Sequence, residues 1–307
     1  MTVLVMVLVT VFLSLLVQIV PGDPAKTLLG FRAKPKYVER VRSAMDLDKP
    51  VWVQVRNFLW KVLHGDLGTD VFTNRSINDL VGRALPHTLI LAWTSMTLAV
   101  LIGIPLGVHS AAHPDSWADR ITAIFSISFI TTPTFVVALF LLLIFAVQLK
   151  ILPAIGAGKE GDVVDYIRHL ILPSIALALS WVGYLARLIR TSLLEVLNET
   201  YIRAAMAAGL SRRLILYKYA LKNAFIPTVA ILGIGLGSLM GGAVFIEVIF
   251  SRPGMGTLIY DAVMQRNYPI VRAGVLVVAF LFVVANLLAD LAYTYLDPRI
   301  QLGKGQR

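Results

Sequence analysis

The sequence predicts an all-α, polytopic membrane protein with six transmembrane helices. Its 307 residues are 57% hydrophobic and only 15% charged, and its mean hydropathy is +0.77. Soluble domains carry roughly 25% charged residues. The second observation is a series of long runs without charged residues, since a bilayer core about 30 Å thick requires about 20 apolar residues in a helix. Together they indicate that lipid is the main solvent of the chain.

Each of the six predicted helices corresponds to one run that is free of charged residues. The runs are Thr2–Val20, Leu89–Val108, Ile121–Leu149, Leu170–Ala186, Ala224–Ile246 and Ala273–Ala289. No basic segment precedes the first run and no small-residue cleavage site follows it, so we interpret residues 1–20 as a retained transmembrane helix and not as a signal peptide. Residues 21–85 then form a large loop, and residues 86–307 form a five-helix core.

The distribution of Lys and Arg among the short loops predicts the orientation. With both termini in the cytoplasm, the inner segments hold eleven of these residues and the short outer loops hold six. Inner loops of membrane proteins carry the larger basic excess. We therefore expect cytoplasmic termini and a periplasmic loop at residues 21–85.

The periplasmic loop contains an amphipathic stretch after Pro50. Val51, Val55, Phe58 and Val62 recur at helical spacing and predict a short helix with one apolar face. Two tryptophans in the same stretch, at positions 52 and 60, are interpreted as anchors at the membrane interface, where aromatic side chains are common.

Composition and motifs exclude several other functions. The chain has no cysteine, which removes disulfides and thiolate metal sites, and its net charge of +10 is better explained by contact with anionic lipid than by nucleic-acid binding. His109 and His113 have metal-ligand spacing, but Pro114 interrupts the helix and no further ligand cluster is present. We expect no metal site.

No phosphate-binding loop is present. The motif G-x-x-x-x-G-K-[ST] is absent, because Glu160 follows Gly158-Lys159 and Gly305 follows Gly303-Lys304. The motifs H-E-x-x-H and G-x-S-x-G are also missing. We therefore expect neither ATP hydrolysis nor a bound cofactor in this chain.

A polar insertion from Leu194 to Pro227 separates two of the predicted spans. Small residues follow Glu199, Gly209 stands where a helix C-cap is expected, and Ser211 stands where a new helix can begin. The pattern predicts two short helices joined by an exposed bend. A single amphipathic surface helix is the alternative that composition leaves open.

The insertion resembles the coupling loop of permease subunits of binding-protein-dependent ABC importers, dipeptide and oligopeptide class. Tyr201-Ile-Arg-Ala-Ala-Met-Ala-Ala-Gly-Leu210 is similar to the motif of that loop, with Arg203 in place of the usual Glu and Pro227 further downstream than in the short form. Further landmarks of the family are similar along the chain: Pro21-Gly-Asp-Pro24, His64-Gly-Asp-Leu-Gly68, Leu85-Pro-His-Thr-Leu89, Phe245-Ile-Glu-Val-Ile-Phe250, Pro253-Gly-Met-Gly256, Arg266-Asn-Tyr-Pro269 and Leu296-Asp-Pro-Arg-Ile300.

The resemblance implies a type I ABC importer permease fold in the bacterial cytoplasmic (inner) membrane, with the coupling loop at residues 191–226. It implies a second homologous permease, two ATP-binding cassette subunits that bind ATP and Mg²⁺, and a periplasmic or lipoprotein substrate-binding protein. The residues it implies for docking to the ATPase subunit are Glu199, Arg203, Ala204, Ala205, Gly209, Leu210 and Ser211.

Two alternative functions stay open. A permease for nickel or another small solute would have the same architecture, since the binding protein largely sets specificity. A channel or secondary transporter that needs no ATPase would be expected to show an inverted repeat, broken helices or charges buried at the membrane midplane. The sequence shows none of these convincingly.

Small and charged residues in the last two spans have simpler interpretations. Gly233, Gly237 and Gly241 have the small-xxx-small spacing that allows close helix packing in lipid. Glu247 and Asp290 lie near helix ends, so snorkelling or pairing with a basic residue is the favoured interpretation for both.

The predicted orientation can be tested with single cysteines, because the chain has none of its own. In spheroplasts treated with an impermeant thiol reagent, we expect Ser76→Cys to be labelled and Ser211→Cys to stay unlabelled. Labelling of both positions in permeabilised membranes is the control. The opposite pattern in spheroplasts would contradict the orientation.

Overall fold

The computed structural model describes residues 2–19, 34–45, 48–159 and 161–296. Two landmarks, residues 21–24 and all but the first residue of 296–300, lie outside this part of the chain, as do residues 21–33 and 46–47 of the predicted periplasmic loop. The helices are α1 (Thr2–Ile19), α2 (Pro35–Ala44), α3 (Val51–Leu63), α4 (Ile77–Ala112), α5 (Trp117–Thr131), α6 (Thr134–Leu141), α7 (Val163–Leu197), α8 (Thr200–Ala207), α9 (Arg212–Leu214), α10 (Leu221–Ala224), α11 (Ile226–Ile249), α12 (Met255–Met264) and α13 (Tyr268–Leu296). Short π-helical segments follow α6 at Leu142–Gln148 and α9 at Ile215–Ala220.

Helices dominate the described residues, and this confirms the all-α prediction. Four of them, α4, α7, α11 and α13, are long and apolar enough to cross a membrane. They correspond to the second, fourth, fifth and sixth predicted runs. Both α4 and α7 begin well before those runs, because amphipathic turns with charged residues extend them.

The third predicted run is not one straight helix. α5 and α6 meet at Thr132–Pro133 with a bend of 105°. Pro133 has no N–H to donate, and a residue before proline favours the extended conformation that Thr132 adopts, with φ −81° and ψ 125°. The Thr132 side chain and its N–H both bind the Ser128 carbonyl and so satisfy part of the broken helix end.

The predicted count of six is therefore not reproduced exactly. The described residues contain four full spans, or five if the bent pair counts as one. The first predicted run forms α1, but its apolar part, Leu4–Leu16, is shorter than the others. α12 is a second short apolar helix, which the sequence analysis did not predict.

The chain divides into two compact units. The first contains residues 1–89 and 251–283, and the second contains residues 90–250 and 284–307. In the first unit, α1 packs against α3, and the predicted amphipathic helix is confirmed, since Val55 and Phe58 are buried and Val62 packs beside them. Trp52 and Trp60 are 68% and 65% exposed on the other face.

A buried carboxylate holds the segment between α3 and α4 in the first unit. Asp70 accepts hydrogen bonds from the N–H of Phe72 at 3.0 Å, from the Thr73 hydroxyl and from the Asn267 amide. Burial alone would raise the pKa of Asp70, but these donors together lower it below its usual range. The ionised carboxylate therefore contributes stability at neutral pH that is lost as the pH falls through this lowered pKa.

In the second unit, α7 packs against α4 and α5 at backbone distance. A Cβ atom at Gly103 would lie 2.8 Å from the Val182 carbonyl oxygen, and one at Gly107 would lie 2.5 Å from that of Ala186. A Cβ at Gly183 would lie 2.8 Å from the Ser126 carbonyl oxygen on α5. The Gly103/Gly107 pair has the same small-xxx-small spacing as the glycines of α11, but the sequence analysis did not single it out.

The glycines predicted for packing on α11 have different surroundings. Gly233 lies so close to Ala289 on α13 that a side chain would overlap it, and Gly237 is buried. Gly241 is exposed, and no described atom lies within 4 Å of its Cβ position. A packing role for the whole series stays a prediction.

The two acidic residues near helix ends also differ. Glu247 is completely buried in the second unit, so it does not snorkel to the interface, and pairing is the interpretation that remains. Asp290 is exposed.

Exposure differs between the two neighbouring positions on the predicted outer side, residues 75 and 76. Ser76 is half-buried and forms a bridge with Thr69, whereas its neighbour Arg75 is exposed. Arg75→Cys is therefore the more accessible reporter. Ser211 is exposed and remains suitable for the other side.

We expect Gly107→Ala to destabilise the protein by about 1–3 kcal/mol, because the new methyl group meets the α7 backbone, which cannot move aside as a flexible side chain can. Thermal unfolding in detergent, followed by fluorescence size-exclusion chromatography, measures the change. Gly82→Ala is the matched control, since it lies on the same helix with no described atom within 4 Å. Equal melting temperatures for both variants would contradict the close packing.

Candidate docking site

The coupling loop begins where α7 ends. Asn198 caps α7, and its side-chain amide donates to the Leu194 carbonyl at 3.0 Å. Glu199 then adopts the extended N-cap conformation before α8, with φ −67° and ψ 150°, and its side chain is exposed. The chain therefore turns sharply between α7 and α8, and α8 is held close to the end of α7.

One side chain anchors α8 to the second unit. Ile202 is completely buried in an apolar cluster with Val108 of α4, Ile189 and Leu193 of α7 and Ile215. Ala205, one turn later, is half-buried and packs against the same cluster. The opposite face of α8 is thereby directed away from the unit.

The outward face of α8 combines small side chains with a few larger ones. Its exposed residues are Thr200, Tyr201, Arg203, Ala204, Met206 and Ala207, and the C-cap residue Ala208 is exposed as well. At Ala204 and Ala207 the short side chains allow another backbone to approach closely, and Met206 adds an exposed apolar contact, whereas a solvated helix usually carries polar residues on its outer face. The geometry suits a packed contact.

Gly209 ends α8 in the way that the sequence predicted. Its φ of +77° is in the left-handed region that favours glycine. Its N–H donates to the Met206 carbonyl at 3.0 Å, and the Leu210 N–H donates to the Ala205 carbonyl at 3.3 Å, which is the Schellman arrangement. Gly209 is exposed, so the bend itself is accessible.

Ser211 precedes α9 in an extended N-cap conformation, although its side chain makes no capping hydrogen bond. Beyond it, Arg212 donates from Nη2 to the Ala112 carbonyl at 2.6 Å, and the Asn223 amide donates to the Tyr201 hydroxyl at 2.6 Å. These contacts fix both sides of the bend. The prediction of two short helices with an exposed bend is confirmed, and the loop is not one continuous amphipathic helix.

A cavity of about 390 Å³ lies beneath the bend. Its lining is mainly apolar and consists of Ala112, Leu197, Met206, Leu210, Arg212, Ile215 and Leu216.

The structure separates the seven predicted docking residues into two groups. Glu199, Arg203, Ala204, Gly209 and Ser211 are exposed, whereas Ala205 and Leu210 are half-buried and pack inward. Two residues were not among those predicted: Ile202, which anchors α8, and Met206, which is an exposed apolar contact. A helical projection would have placed Ile202 opposite Ala204, but only the position of α4 shows that this face is buried.

Comparison with protein families places the whole chain in one class. Residues 103–302 match the family described as binding-protein-dependent transport system inner membrane component. Residues 1–92 match the N-terminal region described for the same membrane components.

Similar proteins are named as permeases. The probable D,D-dipeptide transport system permease protein DdpB of Escherichia coli K12 is 38% identical, over 99% of this chain and 96% of its own length. The dipeptide transport system permease protein DppB of Alkalihalophilus pseudofirmus is 37% identical, over 93% of this chain and 92% of its own length. The glutathione transport system permease protein GsiC of Salmonella choleraesuis is 36% identical, over 96% and 94%.

Solved structures show the same fold. An inward-facing form of the MetNI methionine ABC transporter matches with a TM-score of 0.60 and 19% identity, over 71% of this chain and 96% of the solved chain. An amino acid ABC transporter with histidines matches with a TM-score of 0.52 and 18% identity, over 72% of this chain and 94% of the solved chain. These matches confirm the predicted permease fold.

Proposed function

The chain belongs to the binding-protein-dependent transport system inner membrane component family, and we propose that it is the permease subunit that carries peptides through an ATP-driven importer. The observation that carries this proposal is the exposed face of α8 around Ala204 and Ala207, which Ile202 directs outward by its burial in the apolar cluster on the opposite side. Such a face suits docking to a partner that supplies the energy, and the chain itself has no phosphate-binding loop.

The proposed substrate class follows from the relatives. Three relatives at 36–38% identity over nearly the full chain are named for D,D-dipeptide, dipeptide and glutathione transport. These are small peptides or a peptide-like thiol. Peptides are therefore favoured over nickel or another small solute.

The proposed assembly contains four kinds of subunit. A second homologous permease would enclose the pathway, two ATP-binding cassette subunits would bind ATP and Mg²⁺ at the coupling loops, and a periplasmic or lipoprotein binding protein would deliver the peptide. Both termini would face the cytoplasm of the bacterial inner membrane. Closure of the ATPase subunits would move α8 and switch the spans between inward-open and outward-open arrangements.

We expect transport to require all of these partners. The purified chain alone should neither hydrolyse ATP nor admit peptide into liposomes, whereas the complete complex should take up at least one of three tritiated probes: L-alanyl-L-alanine, D-alanyl-D-alanine or glutathione. Scintillation counting of filtered proteoliposomes measures uptake. Robust ATP-independent uptake by the chain alone would instead favour a channel or carrier.

The docking face can be tested at Ala204, which is exposed, and not at Ala205, whose half-buried side chain would also disturb folding. We expect Ala204→Glu to reduce co-purification of the ATPase subunit and to reduce uptake more than tenfold, since an unpaired charge buried at an interface costs about 3–5 kcal/mol. Gly209→Leu should act similarly by straining the bend at φ +77°.

The control for these variants is Ser43→Glu on α2, which adds the same charge at an exposed position predicted to lie on the opposite side of the membrane. Expression and monodispersity are checked for every variant. Normal subunit assembly and normal uptake in both Ala204→Glu and Gly209→Leu would show that this face does not dock the ATPase.

A further inference from the structure

A buried carboxylate joins three helices of the second unit near the coupling loop. Asp119, in the first turn of α5, is only 4% exposed. Arg190 of α7 donates from Nε to Asp119 Oδ1 at 2.6 Å and from Nη2 to Oδ2 at 2.8 Å. The Ser110 hydroxyl of α4 donates to the same carboxylate, and the Asp115 N–H donates to Oδ2 at 2.9 Å. Each of the two Asp119 carboxylate oxygens therefore accepts two hydrogen bonds.

The pairing is specific in its geometry. Two parallel N–H···O bonds between a guanidinium and a carboxylate fix both distance and orientation, as a lysine could not. Stability alone does not require such a pair, since well-packed apolar residues of similar volume often stabilise a protein equally or better. The pair therefore fits a positioning role between moving parts better than a purely structural one.

The chain before the coupling loop and the chain after its bend both contact the connection between α4 and α5. Residues 113–116 connect α4 to α5, and Asp119 follows in the first turn of α5. Arg190 precedes the end of α7 by seven residues, about two helical turns, and α7 leads through Asn198 into α8. On the other side of the bend, Arg212 binds the Ala112 carbonyl at the end of α4.

The far end of α5 is the broken position at Thr132–Pro133. Because α5 is bound to α7 at its first turn, it is expected to move with α7. The break after its last turn can then act as a hinge between α5 and α6. Further along, α5 meets α7 through close backbone packing at Gly183 and Ser126.

We propose that the Asp119–Arg190 pair, supported by Ser110, transmits movement of the coupling loop to α5 and so to the broken span. The inference rests on the proposed importer function. Asp119 and Arg190 are positioning residues: neither lies on the exposed docking face, and each acts through the helix that it orients. ATP-driven displacement of α8 reaches α5 through α7 and this pair.

The test uses the complete complex, with the second permease, both ATPase subunits and the binding protein. We expect Asp119→Asn and Arg190→Gln to retain the ATPase subunits on purification and to retain ATP hydrolysis. Uptake per ATP hydrolysed should fall about tenfold, within the range of about 5- to 150-fold typical of coupling between sites. The double variant should lose no more than the single ones, because both substitutions remove the same link.

Arg187→Gln is the matched control, since Arg187 is exposed on the same helix about one turn earlier. This variant should keep the normal uptake per ATP hydrolysed. If Asp119→Asn fails to accumulate in the membrane, Arg190→Lys takes its place: it keeps the charge but loses the double hydrogen bond, and we expect a partial loss of uptake per ATP in an assembled complex.

An unchanged ratio in Arg190→Gln or Arg190→Lys would overturn the inference. Loss of the ATPase subunits from these variants would also overturn it, because the pair would then only shape the docking face. Failure of the proposed function has a different signature, namely that the unaltered complex itself shows no uptake of any probe and no stimulation of ATP hydrolysis by the binding protein. That result would overturn both.

Discussion

The close packing of α7 against its neighbours is the interaction on which the second unit depends. Gly103, Gly107 and Gly183 let the backbones of α4, α5 and α7 approach to distances that a Cβ atom would obstruct. Within lipid, no hydrophobic gain drives helices together, so dispersion contacts over such close surfaces and a few polar contacts supply the association energy. α7 is accordingly the most buried of the spans.

The coupling loop inherits its position from α7. Ile189 and Leu193 form part of the cluster that receives Ile202, and the chain turns at Asn198 without leaving that cluster. Ile202, with Ala205 beside it in the cluster, thus sets the rotation of α8 about its axis. As a result Ala204 faces outward and Ala205 inward, although the two are adjacent in a stretch of small residues.

Polar groups are placed according to what the membrane allows. Backbone without helical hydrogen bonds is costly in hydrocarbon and is tolerated where protein or water covers it. The break at Thr132–Pro133 is eased by the threonine hydroxyl bound to the Ser128 carbonyl. Glu247 is fully buried and Asp119 carries four donors, whereas Asp290 and most basic residues of the coupling loop are exposed.

The sequence by itself determined the class of the protein and its local structure. Uncharged runs predict spans because the bilayer thickness sets a length, and Gly209 predicts a helix end because glycine readily takes a positive φ; both depend on neighbouring residues only. The tertiary structure alone decided the rest. The inward side of Ala205, the fit of Gly107 to α7 and the Asp119–Arg190 pair join residues far apart in the chain. Which face of a helix is covered depends on the helices beside it, and no local pattern contains that information.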